Sequence, residues 1–202
     1  MLTVHHLNKS RSTRVIWLLE ELELPFTVVK HQRNATTNLA PESLKKIHPL
    51  AKAPVIEEEG RLLCESGAII EYILNKAPRN NLQPKVDADN YYPYLEWLHF
   101  AEGSLSLPLI SKLLINDAPR EGHLRFSRYI EKELTLDFNY IESRLQCQPY
   151  FAGNDFTAAD IMMTFMLEIA LKIGVLVTKP QTLKYLQTVQ QRPAYQKAKD
   201  YG

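Results

Sequence analysis

The sequence predicts an α/β domain with the element order β-α-β-α-β-β-α, followed by an all-α helical bundle. Short β-compatible runs alternate with helical patterns over the first part of the chain, and strand patterns are absent from the second part. Residues 76–85 separate the two parts and hold two prolines and two asparagines, a composition typical of a linker. We therefore predict one domain over residues 1–79 and another over residues 86–202.

The first three predicted elements form a β-α-β unit. Residues 3–7 predict a short strand, and Ser12 is of the residue type that caps the start of a helix. The helix is expected to run to about Glu23, because its apolar residues recur at the 3.6-residue period. Residues 26–30 are rich in β-branched side chains and predict the second strand. Such a unit requires a right-handed crossover and parallel pairing of its two strands.

A short helix, a hairpin and a longer helix complete the α/β domain. The short helix is predicted over residues 41–47. Residues 54–56 and 62–63 predict two strands joined by a five-residue turn at residues 57–61, and the longer helix begins at Ser66. The packing that suits these elements is a four-stranded mixed sheet with helices on both faces.

Only helical patterns follow the linker. The first predicted helix is long and is expected to kink at Pro108. The third is expected to end at Gly174, since glycine is the usual residue just beyond a helix C-terminus. The predicted helices cover residues 87–115, 122–146, 157–173, 183–190 and 194–200.

The charge balance argues against polyanionic partners. Lysine and arginine total 24, aspartate and glutamate total 23, and the formal net charge is +1. A chain this balanced offers no broad basic surface for nucleic acid or for an anionic membrane. We expect neither as a partner.

The N-terminus and the cysteines indicate a cytoplasmic protein. Residues 1–6 form neither a basic nor an apolar signal segment, and no apolar run approaches the roughly 18 residues of a membrane span. Cys64 and Cys147 are far apart, and each lies in an apolar stretch. We therefore expect two buried thiols in a reducing compartment.

Residues 8–12 form a polar loop between the first strand and the first helix. Such a loop places backbone N–H groups and the positive end of the helix dipole where an anion can bind. A thiolate is such an anion, and a serine hydroxyl that donates a hydrogen bond to the sulfur favours the ionised form. The residue types alone leave alternatives open, because Ser10 can be plain loop polarity and Ser12 can be a structural N-cap.

Pro54 stands at the start of an apolar strand, where a proline cannot donate to the strand ladder. A cis bond before Pro54 would present the N–H and C=O of Ala53 to a ligand. Most X–Pro bonds are trans, so this proline by itself does not favour a ligand site.

Glu65 and Ser66 precede the last helix of the predicted α/β domain. Ser66 and the N–H groups of the first helical turn suit a carboxylate, and Glu65 beside them suits an ammonium group. An α-amino acid carries both charges on one carbon. The alternative is that Ser66 only caps its helix.

Three longer segments extend these local patterns over most of the chain. They are SRSTRVIWLLEEL at residues 10–22, HPLAKAPVI at residues 48–56 and FAGNDFTAAD at residues 151–160. The first resembles the first helix of the serine-type bacterial and fungal members of the cytosolic glutathione S-transferases. The second resembles that family's Asn-Pro-Leu-Gly-Lys-Val-Pro-Val-Leu segment. The third matches its N-capping box and hydrophobic staple, in which Thr157 and Asp160 cap a helix reciprocally.

The resemblance implies a thioredoxin-like N-terminal domain that binds glutathione and a helical domain that contributes the pocket for an electrophile. It implies that Ser10 contacts the glutathione sulfur, with Ser12 as the fallback. It also implies that Ala53, before a cis Pro54, pairs its backbone with the cysteinyl part of glutathione.

The resemblance further implies that Glu65 and Ser66 hold the γ-glutamyl head group. Lys52 is expected to meet the glycyl carboxylate, the alternative being a solvated surface lysine. The chain departs from the family pattern at His48 and Ala51, where asparagine and glycine are usual. For Ala51 we expect a backbone without positive φ, and for His48 a structural role.

The implied activity is that of a detoxifying glutathione S-transferase, which conjugates glutathione as a thiolate to a small hydrophobic electrophile. Glutathione is then a co-substrate, and no metal or other cofactor is expected. The implied assembly is a homodimer. The sequence does not identify the physiological electrophile.

Two alternative functions stay open at this point. The first is glutathione-dependent reduction of peroxides or disulfides on the same fold. A thiol-type oxidoreductase would place cysteine where this chain has Ser10, but glutathione itself can still reduce peroxides at a serine-type site. The second is a non-catalytic binding module. Relatives of that kind typically lose the loop serine or the Glu-Ser pair, and this chain keeps both.

Overall fold

The structure is a computed structural model that describes residues 1–115 and 124–201. It divides into two compact units. The first comprises Met1–Asn81 together with the residues from Gln190 onward, and the second comprises Leu82–Val189. The domain limits of 1–79 and 86–202 stay a prediction. In the structure, the residues from Gln190 onward pack with the first unit.

The first unit is built on a four-stranded mixed sheet in the order β2-β1-β3-β4. The central strand β1 (Leu2–Leu7) pairs in parallel with β2 (Phe26–His31), as the β-α-β pattern predicts. On its other side β1 pairs antiparallel with β3 (Val55–Glu58), which pairs antiparallel with β4 (Arg61–Cys64). The element order and the mixed sheet are confirmed.

The β3–β4 turn is tighter than the predicted five residues. Only Glu59 and Gly60 lie outside the strands, and both have positive φ, of 52° and 77°. Positive φ at both central residues is the geometry that matches the right-handed twist of a two-residue hairpin. Gly60 accepts it without steric cost, which allows Arg61 to pair within the strand.

Helix α1 (Ser12–Glu21) begins and ends differently from the prediction. Ser12 is its first residue rather than its N-cap, which is Arg11. The reason is that the Ser12 hydroxyl accepts a hydrogen bond from the N–H of Leu7 at 3.2 Å, in the preceding strand. At the other end Glu23 lies beyond the helix with a φ of 52°.

Three further helices belong to the first unit, namely α2 (Glu42–Ile47), α3 (Ser66–Lys76) and, after the second unit, α9 (Pro193–Lys199). Helix α1 packs against β1, α3 and α9. Arg192, just before α9, donates from Nε and Nη2 to the two carboxylate oxygens of Glu21, at 2.6 and 2.8 Å. This bidentate pair attaches the C-terminal segment to the first helix.

The second unit is helical in every element that the structure describes there. Its helices are α4 (Tyr91–Gly103), α5 (Ser106–Ile115), α6 (Leu124–Cys147), α7 (Ala158–Lys172), a 3-10 helix (Val175–Thr178) and α8 (Pro180–Gln190). The predicted start of the second long helix at residue 122 lies outside the described residues.

The predicted long helix with a kink at Pro108 is two helices, and the prediction is wrong on this point. The chain leaves α4 at Ser104 and Leu105, just after Gly103, which is a weak helix former. Pro108 is instead the third residue of α5, where a backbone N–H has no partner within the helix. A proline is tolerated there, so it marks a helix start rather than a kink.

Helix α7 has the capping box that its sequence predicts. The Thr157 hydroxyl accepts from the backbone of Asp160, and the Asp160 carboxylate accepts from the N–H of Thr157 at 2.8 Å. At the other end Gly174 has a φ of 79° and donates to the carbonyl of Leu171 at 3.1 Å. Both predicted ends of this helix are confirmed.

The prediction of two buried thiols holds for neither cysteine. Cys147 is exposed and Cys64 is half-buried. Cys147 is the last residue of α6, and Cys64 is the last residue of β4, an edge strand of the sheet.

A membrane-spanning helix is not found in the part of the chain that the structure describes: each helix there is too short or too polar to cross a bilayer.

Two histidines pack side by side within the sheet. Nδ1 of His5 lies 3.2 Å from Nε2 of His31, and Nδ1 of His31 lies 2.9 Å from the hydroxyl of Ser43. Glu57 on β3 lies 3.7 Å from Nε2 of His5. Burial, and next the neighbouring His5, lower the pKa of His31 below the ordinary 6.5.

This histidine pair predicts a loss of stability on mild acidification. Because the pKa of His31 is lower in the folded chain, the unfolded chain binds more protons as the pH falls through 6.5, and the free energy of unfolding decreases. Urea unfolding between about pH 7.5 and 5.5, above the ordinary carboxylate range, measures this slope. His31→Gln keeps hydrogen-bonding capacity without titrating and should flatten it. An equal slope in both proteins would contradict the assignment.

Candidate active site

The sheet pairing places the predicted site segments at one end of the first unit. Leu7 of β1 pairs with His31 of β2, His5 with Val55, and Val55 with Cys64. We call this the Leu7 end of the sheet. Three segments meet it, because residues 8–11 leave β1 there, residues 48–54 enter β3 there, and residues 65–66 leave β4 there.

The two loop serines differ in burial. Ser12 is 0% exposed and Ser10 is 5% exposed. Their hydroxyl oxygens lie 2.7 Å apart, and the N–H of Ser12 donates to Ser10 Oγ at 3.3 Å. Ser12 therefore closes the junction between β1 and α1, while Ser10 lies in the loop just before α1 and is slightly more exposed.

Arg33 and Asn8 hold the serine loop in place. The Arg33 N–H donates to the side-chain oxygen of Asn8 at 2.8 Å, and the Arg33 guanidinium donates from Nε to the Asn8 carbonyl at 3.1 Å. The N–H of Asn8 donates in turn to the carbonyl of His31 at 3.3 Å. These bonds fix the backbone from which Ser10 projects.

The peptide bond between Ala53 and Pro54 is cis, as the resemblance implies. Pro54 is buried and Ala53 is half-buried, directly before β3. Lys52, one residue earlier, is exposed.

The turn before this bond corrects one expectation. Ala51 has a φ of 49°, although we expected no positive φ there. The turn is closed by the Ala51 N–H, which donates to the His48 carbonyl at 2.9 Å, and by the Leu50 N–H, which donates to Nδ1 of His48 at 3.4 Å. These bonds hold Ala51 in a region that costs an L-residue about 1–2 kcal/mol. The structural role expected of His48 agrees with these contacts.

Glu65 and Ser66 form the start of α3. Glu65 has φ 72° and ψ 118°, and α3 has no side-chain cap. Such backbone strain costs about 1–3 kcal/mol and is concentrated at functional sites. The uncapped first turn therefore presents its N–H groups, with the positive end of the helix dipole, to a carboxylate.

Sequence reasoning missed two side chains that lie directly behind these residues. Arg14 is 1% exposed and donates from Nη1 to the hydroxyl of Ser66 at 3.3 Å, which links α1 to α3. His6 is equally buried, and its Nδ1 lies 2.9 Å from Ser12 Oγ. A charged or titratable residue inside an apolar helix or strand next to the polar loop was the available signal.

A metal site is not evident within residues 1–115 and 124–201, where no three His, Cys, Asp or Glu side chains cluster to hold an ion. The Leu7 end instead collects a hydroxyl, two helix N-termini and a carboxylate side chain. That combination suits a ligand with anionic groups and an ammonium group.

Comparison with known proteins gives matches along both units. Residues 1–75 match the family model of the glutathione S-transferase N-terminal domain, and residues 107–198 match a model of the glutathione S-transferase C-terminal domain. The chain is 34% identical to glutathione S-transferase 3 of Schizosaccharomyces pombe, over 96% of this chain and 85% of that protein.

Two further relatives agree. The chain is 29% identical to glutathione S-transferase 1 of Saccharomyces cerevisiae, over 99% of this chain and 94% of that protein. A crystal structure of a glutathione S-transferase from Actinobacillus pleuropneumoniae superposes with a TM-score of 0.90 at 31% identity, covering 99% of this chain and 92% of that one. The fold, the sequence segments and these relatives together show that the chain belongs to the glutathione S-transferase family.

Proposed function

We propose that this family member holds the sulfur of glutathione against the Ser10 hydroxyl as a thiolate and conjugates it to a small hydrophobic electrophile. The observation that supports this assignment is the position of Ser10 in the loop directly before α1, at the Leu7 end of the sheet, with the cis Pro54 segment and the start of α3 at the same end. Ser10 is favoured over Ser12 because the Ser12 hydroxyl lies fully inside the junction.

The energy required is within reach of these groups. A thiol with a pKa of about 8.5 is only a few per cent ionised at pH 7, and lowering that pKa by about two units takes about 2.7 kcal/mol. A hydrogen bond from a hydroxyl to a charged acceptor contributes roughly 1.5–3 kcal/mol. The N-terminus of α1 adds about 0.3–1 kcal/mol. Together they match the requirement.

The other parts of glutathione bind to the remaining segments at the Leu7 end of the sheet. The backbone of Ala53, before the cis Pro54, pairs with the cysteinyl part. Glu65 holds the ammonium group of the γ-glutamyl residue, and the first turn of α3 with Ser66 holds its carboxylate. Lys52, exposed on the neighbouring loop, meets the glycyl carboxylate.

The finer biological assignments belong to this proposal as well. We propose that the protein acts in the cytoplasm as a homodimer, needs no cofactor other than its co-substrate glutathione, and serves detoxification. The two alternative functions are less favoured. A serine rather than a cysteine in the first loop argues against disulfide reduction, and retention of Ser10, Glu65 and Ser66 argues against a non-catalytic module.

The proposed binding of the head group predicts a strong effect of Glu65→Gln. Loss of a charge-assisted hydrogen bond to the ammonium group should raise the dissociation constant of glutathione about tenfold or more. Glu71→Gln removes the same charge further along α3 and serves as the matched control, expected to bind normally. Isothermal titration calorimetry measures both, and equal affinities would remove Glu65 from the site.

The function itself is tested by three assays on the same preparation, namely retention on immobilised glutathione, conjugation of an aryl halide and reduction of a peroxide. We expect the protein to be retained on immobilised glutathione and to conjugate an aryl halide. Retention on immobilised glutathione with no turnover in both the conjugation assay and the peroxide assay would favour the binding module. Turnover of peroxide alone would favour the reductase.

A further inference from the structure

The side chains behind Ser10 form a short chain of hydrogen-bonding groups that leads through Ser12 to His6. Ser10 Oγ lies 2.7 Å from Ser12 Oγ, and Ser12 Oγ lies 2.9 Å from Nδ1 of His6. All three residues are buried. Ser12 therefore connects a histidine of β1 to the hydroxyl that we place against the glutathione sulfur.

The Ser12 hydroxyl cannot donate a hydrogen bond to both Ser10 and His6. It has one hydrogen to donate and two lone pairs to accept with. One lone pair is used by the N–H of Leu7, which donates to it at 3.2 Å. One of the two short contacts, to Ser10 or to His6, must then receive the Ser12 hydrogen, and the other must donate to the remaining lone pair.

The carbonyl of Leu7, 3.3 Å from Ser12 Oγ, is a weaker competitor for that hydrogen. If Ser12 donated to it, Ser10 and His6 would both depend on the single lone pair left. One of the two contacts, at 2.7 and 2.9 Å, would then lack a hydrogen between its atoms. The shorter contacts therefore determine the arrangement.

Two arrangements give a hydrogen to both short contacts, between Ser10 and Ser12 and between Ser12 and Nδ1 of His6. In the first, Ser12 donates to an unprotonated Nδ1 of His6, so Ser10 must donate inward to Ser12 and offers no hydrogen to a ligand. In the second, His6 donates from a protonated Nδ1, Ser12 donates to Ser10, and the hydrogen of Ser10 is available to a ligand. The tautomer of His6 and the direction of the Ser10 hydroxyl are thereby coupled.

We propose that His6 is a positioning residue for thiolate formation: with its proton on Nδ1, it turns the hydroxyl hydrogen of Ser10 outward onto the sulfur of bound glutathione. This inference rests on the proposed function. In that arrangement Ser10 Oγ accepts from both the N–H and the hydroxyl of Ser12, and its own hydrogen is left for the thiolate. A thiolate can only accept, so it selects the Nδ1–H tautomer.

The tautomer can be read directly in the unmodified protein. The sample is full-length protein labelled with ¹⁵N-histidine and saturated with glutathione at about pH 8, a pH at which an ordinary imidazole is neutral. Two-bond ¹H–¹⁵N correlation spectra then show which ring nitrogen carries the proton. His6→Asn assigns the His6 signals by their disappearance. We expect the proton on Nδ1. A proton on Nε2 in the complex would overturn the inference while leaving the proposed function intact.

Kinetics give a second, independent readout. His6→Leu removes the donor to Ser12 and should lower kcat/KM about threefold to tenfold and move the pH profile of kcat/KM to higher pH. His6→Asn restores an N–H near the position of Nδ1 and should recover most of the rate. An unchanged pH profile in folded His6→Leu would contradict the positioning role. Absence of glutathione binding by calorimetry would overturn both proposals together.

Discussion

Ser10→Ala should lower kcat/KM for conjugation about 10- to 100-fold, because it removes a hydrogen bond to a charged sulfur worth roughly 1.5–3 kcal/mol. The pH profile of kcat/KM should move to higher pH at the same time, since less of the bound thiol is ionised at neutral pH. Glutathione affinity at about pH 6, where a free thiol is protonated, should change little. Steady-state kinetics across pH and calorimetry measure the three quantities.

The control for Ser10→Ala is Thr13→Ala, three residues further along in the first turn of α1. Thr13 is half-buried, and its hydroxyl donates to the backbone carbonyl of Ser10 at 3.2 Å rather than toward the ligand. We expect its rate to stay within about twofold of the parent protein. If Ser10→Ala kept full activity and an unshifted pH profile, the hydroxyl of Ser12 would replace that of Ser10 as the sulfur contact.

Asp160→Ala should cost about 3–5 kcal/mol of stability, a large share of the 5–15 kcal/mol typical of a folded chain. Asp160 is 0% exposed and accepts from Thr157 N–H at 2.8 Å, Thr157 hydroxyl at 3.0 Å, Phe151 N–H at 3.1 Å and Tyr185 hydroxyl at 2.7 Å. The substitution leaves these buried donors without their acceptor and removes the Asp160 half of the capping box of α7. Urea unfolding followed by circular dichroism measures the loss.

Two further variants provide comparisons for the stability loss expected of Asp160→Ala. Tyr185→Phe removes only one donor and should cost about 1–1.5 kcal/mol. Asp155→Ala removes an exposed carboxylate from the same loop and should stay within about 0.5 kcal/mol of the parent protein. A loss below about 1 kcal/mol for Asp160→Ala would show that the hydrogen-bonded cap contributes little to the stability of the helical unit.

The fold was predictable where local pattern and packing agree. The β-α-β unit around residues 3–30 has both the strand composition and the helical period, and the capping box at Thr157 and Asp160 is a short-range motif that the sequence shows directly. The break between α4 and α5 was not predictable in this way. The apolar period continues through it, and Pro108 suggests a kink four residues too late.

Part of the candidate site was likewise predictable from sequence, and part was not. The segments around Ser10, Pro54 and Ser66 could be chosen from sequence because each adjoins a strand end, and parallel and antiparallel pairing then brings those ends together. The contact of Arg14 with Ser66 spans 52 positions, so no local pattern reveals it. The contact of His6 with Ser12 is equally hidden, because only the folding back of α1 brings Ser12 to the ring.

Ala51 shows the limit of residue preference as evidence. A residue other than glycine at this position predicts a negative φ, yet the turn imposes 49°. The hydrogen bonds to His48 oppose the steric cost, which is small compared with the packing of the strand that follows. Tertiary context therefore overrides the local preference here.

The ionisation of bound glutathione is the most direct test of a thiolate held at Ser10. The ultraviolet absorbance of the thiolate, followed as a saturated complex is titrated from about pH 5 to 9, gives the pKa of the bound thiol. We expect a midpoint about two units below the value of about 8.5 for a free thiol. A bound thiol that titrates at the free value, or a protein that does not bind glutathione saturably, would contradict the proposal.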